Sequence, residues 1–171
     1  MERGFCAAKP NQKWGTYGTE FFLFDETLYL SPILDPCSED LISYMVSARP
    51  VLGMITSMLE KAFVIIPDDT EPILHSDQSW QYQHKQYQRM FEEKDVQQNM
   101  SRKDNCLDNA VMEKFFRMLK TELFYLQDFD SLEHFKAELI DFLDYYNNRR
   151  IKAKLNGLTP AQHRSQALQT A

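Results

Sequence analysis

Asp77 and Glu113 are the residues whose types and settings could carry chemistry. Asp77 follows the short apolar run Ile73-Leu74-His75, with Ser76 between, and Glu113 stands 36 positions later in Asp108-Asn109-Ala110-Val111-Met112-Glu113-Lys114-Phe115-Phe116. The first segment reads as a buried strand that delivers a carboxylate at its C-terminal end, the second as a helix with an acid on its face. Two carboxylates brought together this way can hold Mg²⁺ or Mn²⁺, hard ions that prefer oxygen ligands and keep several waters. Two such ions about 3.5–4 Å apart activate an attacking water or 3′-hydroxyl and stabilise a leaving oxygen, which suits phosphodiester chemistry. Acids at this separation also occur as plain surface charges, so the elements that position them decide their meaning.

Those elements alternate. Aromatic residues and threonines dominate from Trp14 to Phe24, Asp25-Glu26-Thr27 offers a turn, and Leu28 to Leu34 resumes as an apolar run, a hairpin signal. Pro36 to Asp40 supplies another turn before Leu41 to Val46, so three antiparallel strands are expected. Pro50 opens a helix with Leu52, Ile55, Leu59, Ala62 and Phe63 on one side, ended by Pro67 to Thr70. The strand at Ile73 to His75 then requires a crossover into a mixed sheet. Gln81 to Glu93 reads as helix and Val96 to Met100 as a further strand.

Asn105 or Asp108 can cap the helix of Glu113, whose buried stripe is expected at Met112, Phe116, Leu119 and Leu123, with Glu113, Arg117 and Lys120 on the adjoining face. A second long helix starts at Asp130, with Glu133 completing a capping box, and buries Phe135, Leu139, Phe142, Leu143 and Tyr146. A short helix follows Thr159-Pro160. This order gives an α/β fold, a ribonuclease-H-like mixed sheet of about five strands flanked by helices.

The bulk properties set limits. A chain of 171 residues with 43% hydrophobic content can bury one sizeable core. There is no run of about 18 apolar residues and no apolar signal segment after Met1-Glu2-Arg3-Gly4, so a cytoplasmic protein without a membrane partner is expected. Cys6, Cys37 and Cys106 lack the spacing of a disulfide framework or zinc site. A net charge of −6 argues against nonspecific coating of nucleic acid, yet the charge is uneven: residues 1–98 hold 8 Lys/Arg against 15 Asp/Glu, and residues 99–171 hold 11 against 10. From Tyr145 onward there are five basic residues and no acid, so a polyanion should meet the C-terminal half. Arg149, Arg150, Lys152 and Lys154 are the expected phosphate contacts.

Several segments together resemble the integrase catalytic core of bacterial insertion-sequence transposases, of the retroviral-integrase superfamily. They are His75-Ser76-Asp77-Gln78, Gln81-Tyr82, Met100-Ser101-Arg102-Lys103, the Asp108 to Phe116 block, Leu119-Lys120-Thr121-Glu122, Tyr145-Tyr146-Asn147-Asn148-Arg149-Arg150 and Leu158-Thr159-Pro160-Ala161. Trp14, Thr19-Glu20-Phe21 and Leu28-Tyr29-Leu30-Ser31 extend the likeness over residues 9–168. The resemblance implies metal-dependent DNA strand cleavage and transfer, a two-metal site for Mg²⁺ or Mn²⁺, DNA partners in the element ends and the target, and association as a homo-oligomer or with an intact transposase. It implies a linker remnant or arm over 1–13, the catalytic core over 14–147 and a basic extension with a short helix over 148–171. The upstream region that reads element ends in such transposases is not expected within the residues before Trp14.

In that family three acids hold the metals, and Asp77 and Glu113 match the second and third. The first belongs to the pattern Trp-x-Thr-Asp-x-Thr-Glu-Phe, which here reads Trp14-Gly15-Thr16-Tyr17-Gly18-Thr19-Glu20-Phe21. Tyr17 therefore stands in place of the first acid, and a neutral phenol does not replace that charge at pH 7. Glu20 should point to the opposite face of its strand, which leaves Asp35 as a looser substitute. Ser79 and Asp104 stand where the family usually has glycine, raising the question of turns that need positive φ. Arg117 and Lys120 lie where related integrases present basic side chains to a DNA end. His75 reads as a packed strand residue, and Trp80 as a flank of the site. Three functions remain: a transposase core impaired in this copy by Tyr17, an inactive fragment that only binds DNA or an intact transposase, and a stand-alone nuclease, which the tail fits poorly.

Overall fold

In the computed structural model, which describes residues 9–67, 70–77, 79–100 and 110–169, the first extended stretch divides in two. β1 (Lys13–Thr16) and β2 (Thr19–Leu23) are separated at Tyr17-Gly18, and both pair antiparallel with the long β3 (Glu26–Asp35). The hairpin turn is tighter than Asp25 to Thr27. Phe24 and Asp25, at φ 55° and 58°, form its two central positions, and Glu26 and Thr27 already belong to β3. β4 (Asp40–Ser47) pairs antiparallel with the other side of β3, as expected for a third strand.

α1 (Leu52–Ile65) carries the chain across the sheet to β5 (Ile73–Ser76), parallel to β1, and β6 (Gln97–Met100) is parallel to β5. The sheet thus runs β4, β3, the β1/β2 strand, β5, β6. The helix expected over 81 to 93 is two pieces, α2 (Trp80–Gln83) and α3 (Lys85–Lys94), split at His84, whose backbone is extended and whose ring accepts the Gln86 N–H.

Two apolar layers cover the sheet. Trp14, Ile33 and Leu74 meet Met58 and Leu59 of α1 and Tyr87 and Phe91 of α3 on one face. On the other, Phe21, Leu30 and Leu34 meet α4 (Ala110–Leu119) and α5 (Leu132–Asn148) through Met112, Leu119, Phe135, Leu139 and Tyr146. Each fully buried Leu or Phe contributes about 1.5–3 kcal/mol relative to exposure. The stripe of α4 differs from expectation at one position: Phe115 is buried and Phe116 only partly. Adjacent phenylalanines lie about 100° apart around a helix, and only one can point at β1 and α5.

α4 passes into a π-turn over Lys120–Phe124, and the cap of α5 is Ser131 rather than Asp130: its Oγ accepts the His134 N–H, while His134 Nδ1 accepts the Asp130 N–H. Glu133 takes no part in that reciprocal pair. The expected caps Asn105 and Asp108 lie outside the described residues. After α5 the chain turns through Ala153–Leu155 into α6 (Pro160–Gln169), which packs against α5 and β4.

Candidate active site and basic face

The parallel register of β1 and β5 aligns Lys13 with Ile73, Trp14 with Leu74 and Gly15 with His75. β1 ends at Thr16 and β5 at Ser76, so Tyr17 and Asp77 are the residues that directly follow these two neighbouring parallel strands. The Tyr17 ring lies on the face that α4 covers. A Cβ built on Gly15 would lie 3.4 Å from Cγ of Met112, so glycine lets the first turn of α4, which carries Glu113, settle on β1. Asp77 is half-buried and its Oδ1 accepts the Ser79 N–H at 2.8 Å, while Glu113 is exposed. Ser79 has φ −60°, so the turn after Asp77 needs no glycine; Asp104 lies outside the described residues.

Tyr17 is 8% exposed and its ring belongs to the apolar cluster of Met112, Phe115 and Phe21. Glu20 is exposed and, with Asp77, borders a cleft of about 260 Å³ on the α1 side of the sheet, away from the Tyr17 ring. Asp35 is at the opposite end of the sheet from Asp77, fully buried, with its carboxylate taken by the backbone N–H groups of Asn11 and Cys37 and by Arg164. It does not substitute for the first acid. His75 is buried in its strand and Trp80 is exposed.

Among the described residues no three His, Cys, Asp or Glu side chains are grouped so as to hold a metal ion. Asp77 and Glu113 supply two charges, and the place of the first acid carries a phenol embedded among apolar side chains. This donor set does not fit the two-metal centre that the sequence pattern implies.

Of the basic residues, Arg117 lies on α4 and is exposed, and Lys120 opens the π-turn that follows it and is partly exposed. The tail residues are drawn into ion pairs. Arg150 grips Glu122 through two hydrogen bonds, of 3.3 and 2.7 Å. Arg149 lies 3.4 Å from Asp141 and over the Tyr145 ring. Lys152 is bound to Glu39 and to Tyr146 Oη, and Lys154 reaches the same Glu39 at 2.9 Å, with Lys114 at 4.0 Å. Burial would raise the Glu39 pKa, but hydrogen bonds and charge from Lys152 and Lys154 outweigh it and hold Glu39 at about 2. Burial pulls the Lys152 pKa down against the pull of Glu39.

The residues that sequence reasoning missed are the partners of the predicted ones. Glu39 sits in the turn before β4 with φ 55°, and its carbonyl accepts the Tyr146 hydroxyl at 2.7 Å. Asn147 both accepts the Leu41 N–H at 2.8 Å and donates to the Leu41 carbonyl at 3.2 Å. Much of the Tyr-Tyr-Asn-Asn-Arg-Arg segment therefore ties α5 to the β3–β4 turn and to the end of α4. At the far end Arg164 bridges Asp35 at 3.1 Å and Asp40 at 3.4 Å and donates to Asn11, which is buried there. Burial pushes the Asp40 pKa up to about 6 despite Arg164. No local signal marks these acids, since their cations lie over a hundred residues away.

Comparison with known proteins agrees with this architecture. Integrase core domain models match residues 7–106 and 113–168. The chain is 47% identical over 97% of its length to the putative transposase InsK for insertion sequence element IS150 of Escherichia coli, of which it covers 59%. It is 44% identical to an uncharacterized transposase-like protein of Haemophilus influenzae, covering 98% of this chain and 77% of that one. The chain thus spans from about three fifths to about three quarters of these two relatives. In fold it is similar to the HTLV-2 integrase catalytic core domain, solved in complex with magnesium, with a TM-score of 0.75 over 93% of this chain and 99% of that one at 16% identity. By the matched domain models and by its identity to these relatives, the chain belongs to the integrase core domain family of insertion-sequence transposases.

Proposed function

We propose that this chain is the core of a DNA transposase whose strand cleavage and transfer are impaired in this copy by Tyr17. The observation that carries the reading is the burial of the Tyr17 phenol among Phe21, Met112 and Phe115, at the position where the family pattern has an acid and directly after the strand parallel to the one that precedes Asp77. In an active core, Asp77 and Glu113 would hold Mg²⁺ or Mn²⁺ beside the reacting phosphodiester, and the metal would supply the activated nucleophile. With Tyr17 in place of the first acid, what this chain's own residues retain is the binding and orientation of DNA, through Arg117 on α4, Lys120 in the π-turn that follows it and the exposed cations of the basic tail. Its partners are accordingly the element ends and target DNA, and further copies of the core or an intact transposase.

That no three acids are grouped among the described residues favours a second reading, in which the chain is an inactive fragment that acts only through DNA or through an intact transposase. Nicking and strand-transfer assays on oligonucleotides carrying element ends, with Mg²⁺ or Mn²⁺, separate the two. Low activity that rises in Tyr17→Asp supports the impaired core. Robust activity of the unmodified chain, abolished by Asp77→Ala, sinks both readings, and no activity in either protein leaves only the second.

A further inference from the structure

A cleft of about 350 Å³ opens between α4 and the segment that follows α5, lined among others by Glu39, Lys114, Arg150, Ile151, Lys152 and Lys154. Its floor is a buried ion pair: the Glu39 side chain is 4% exposed and that of Lys152 11%. Its rim carries Lys114 and Lys154, with side chains 66% and 65% exposed. Both rim lysines approach the same oxygen, Oε1 of Glu39, at 4.0 and 2.9 Å, so their ammonium groups lie within about 7 Å of each other. Arg150 is matched separately by Glu122.

Three ammonium groups against one carboxylate leave two positive charges converging on one opening. We propose that this opening is a DNA-backbone site in which Lys114 and Lys154 hold a phosphodiester above the Glu39–Lys152 pair. The proposal rests on the reading that the chain binds DNA, and it names a place on the surface for it. Two features favour a phosphodiester in a strand over a free anion. Lys114 directly follows Glu113 on α4, about 100° around the helix, so a strand passing Glu113, Arg117 and Lys120 meets the cleft at its flank. Ile151, 68% exposed, forms an apolar lip where a sugar can rest. Glu39 fixes the spacing of the rim lysines, whereas Lys152 supports the floor and makes no phosphate contact.

The test is the double variant Lys114→Gln, Lys154→Gln, which changes exposed side chains only; melting by circular dichroism checks its fold. Binding of a fluorescent DNA duplex is titrated between about 50 and 200 mM salt. The expected result is a salt slope smaller by about one and affinity weaker by roughly tenfold, irrespective of sequence. Lys94→Gln on α3 is expected to leave the slope unchanged. A double variant with the wild-type slope overturns the site while the DNA-binding reading stands. Wild-type protein without salt-dependent DNA binding overturns both. Inorganic phosphate at millimolar concentration and constant ionic strength provides the last arm. A rise in wild-type melting temperature that the double variant loses, with DNA binding unchanged, reassigns the cleft to a small anion and overturns the proposal.

Discussion

Replacing Glu39 by Gln tests whether one buried carboxylate organises the tail. Its folded pKa of about 2 lies below the ordinary 4.5, so its stabilising contribution is present above pH 4.5 and lost as pH falls through 2. That separation corresponds to about 3 kcal/mol at pH 7. The geometry gives the same order from the other side, since Glu39→Gln leaves Lys152, 11% exposed, facing a neutral amide, and breaking a buried pair costs about 3–5 kcal/mol. Lys152 can limit the loss by releasing its proton, because burial already lowers its pKa. The expected deficit in urea unfolding at pH 7 is therefore about 3 kcal/mol, or roughly 6–12 °C in melting temperature. At pH 3 the gap should shrink by about 2 kcal/mol, as wild type approaches protonation. A deficit under about 1 kcal/mol at pH 7, or a gap unchanged by acid, would refute the assignment of Glu39 as the anion that holds the tail.

Three further outcomes follow from the same structure. Arg164→Met strands the buried acids Asp35 and Asp40 and should cost about 3–5 kcal/mol in urea unfolding at pH 7. Asp40, with its pKa raised from 3.8 to about 6, contributes stability below pH 3.8 that is lost as pH rises through 6, so Asp40→Asn should flatten the urea midpoint of wild type across that window, a change of about 2 kcal/mol. Tyr17→Asp puts a carboxylate among apolar side chains and should lower the melting temperature in the absence of divalent ions. Added Mg²⁺ should then raise it in the variant and not in wild type, by linkage to the folded state, and a variant indifferent to Mg²⁺ counts against an Asp77 and Glu113 pair completed at position 17.

The sequence carried the strand order and the elements that bear the two acids well, because alternation, turn residues and a short apolar run are local signals. Asp77 at a strand end and Glu113 on a helix could be read without any long-range information. Where reading failed, two neighbouring residues offered the same chemistry and three-dimensional direction chose between them: Phe115 over Phe116, and Ser131 over Asp130. The tail was read incompletely for another reason. A stretch with five cations and no acid looks free for phosphates, yet Lys152 and Lys154 meet Glu39 from 113 and 115 residues away, and Arg150 meets Glu122 across 28. Local charge density says nothing about which distant acid the fold delivers. The kink at Tyr17-Gly18 was equally hidden, since Trp14 to Phe24 reads as one strand until β3 is seen to pair with its two halves separately.

The Asn147 side chain has a consequence beyond joining α5 to β4. Among the described residues β4 pairs only with β3, so its other side is the rim of the sheet, where bare N–H and C=O groups invite a strand from another molecule. The carboxamide of Asn147 has the donor and acceptor of a peptide group, and it meets both backbone groups of Leu41 as a neighbouring strand would. One rung of the rim is thereby already zipped shut by a helix, and a foreign strand would have to displace it to add to the sheet from that end.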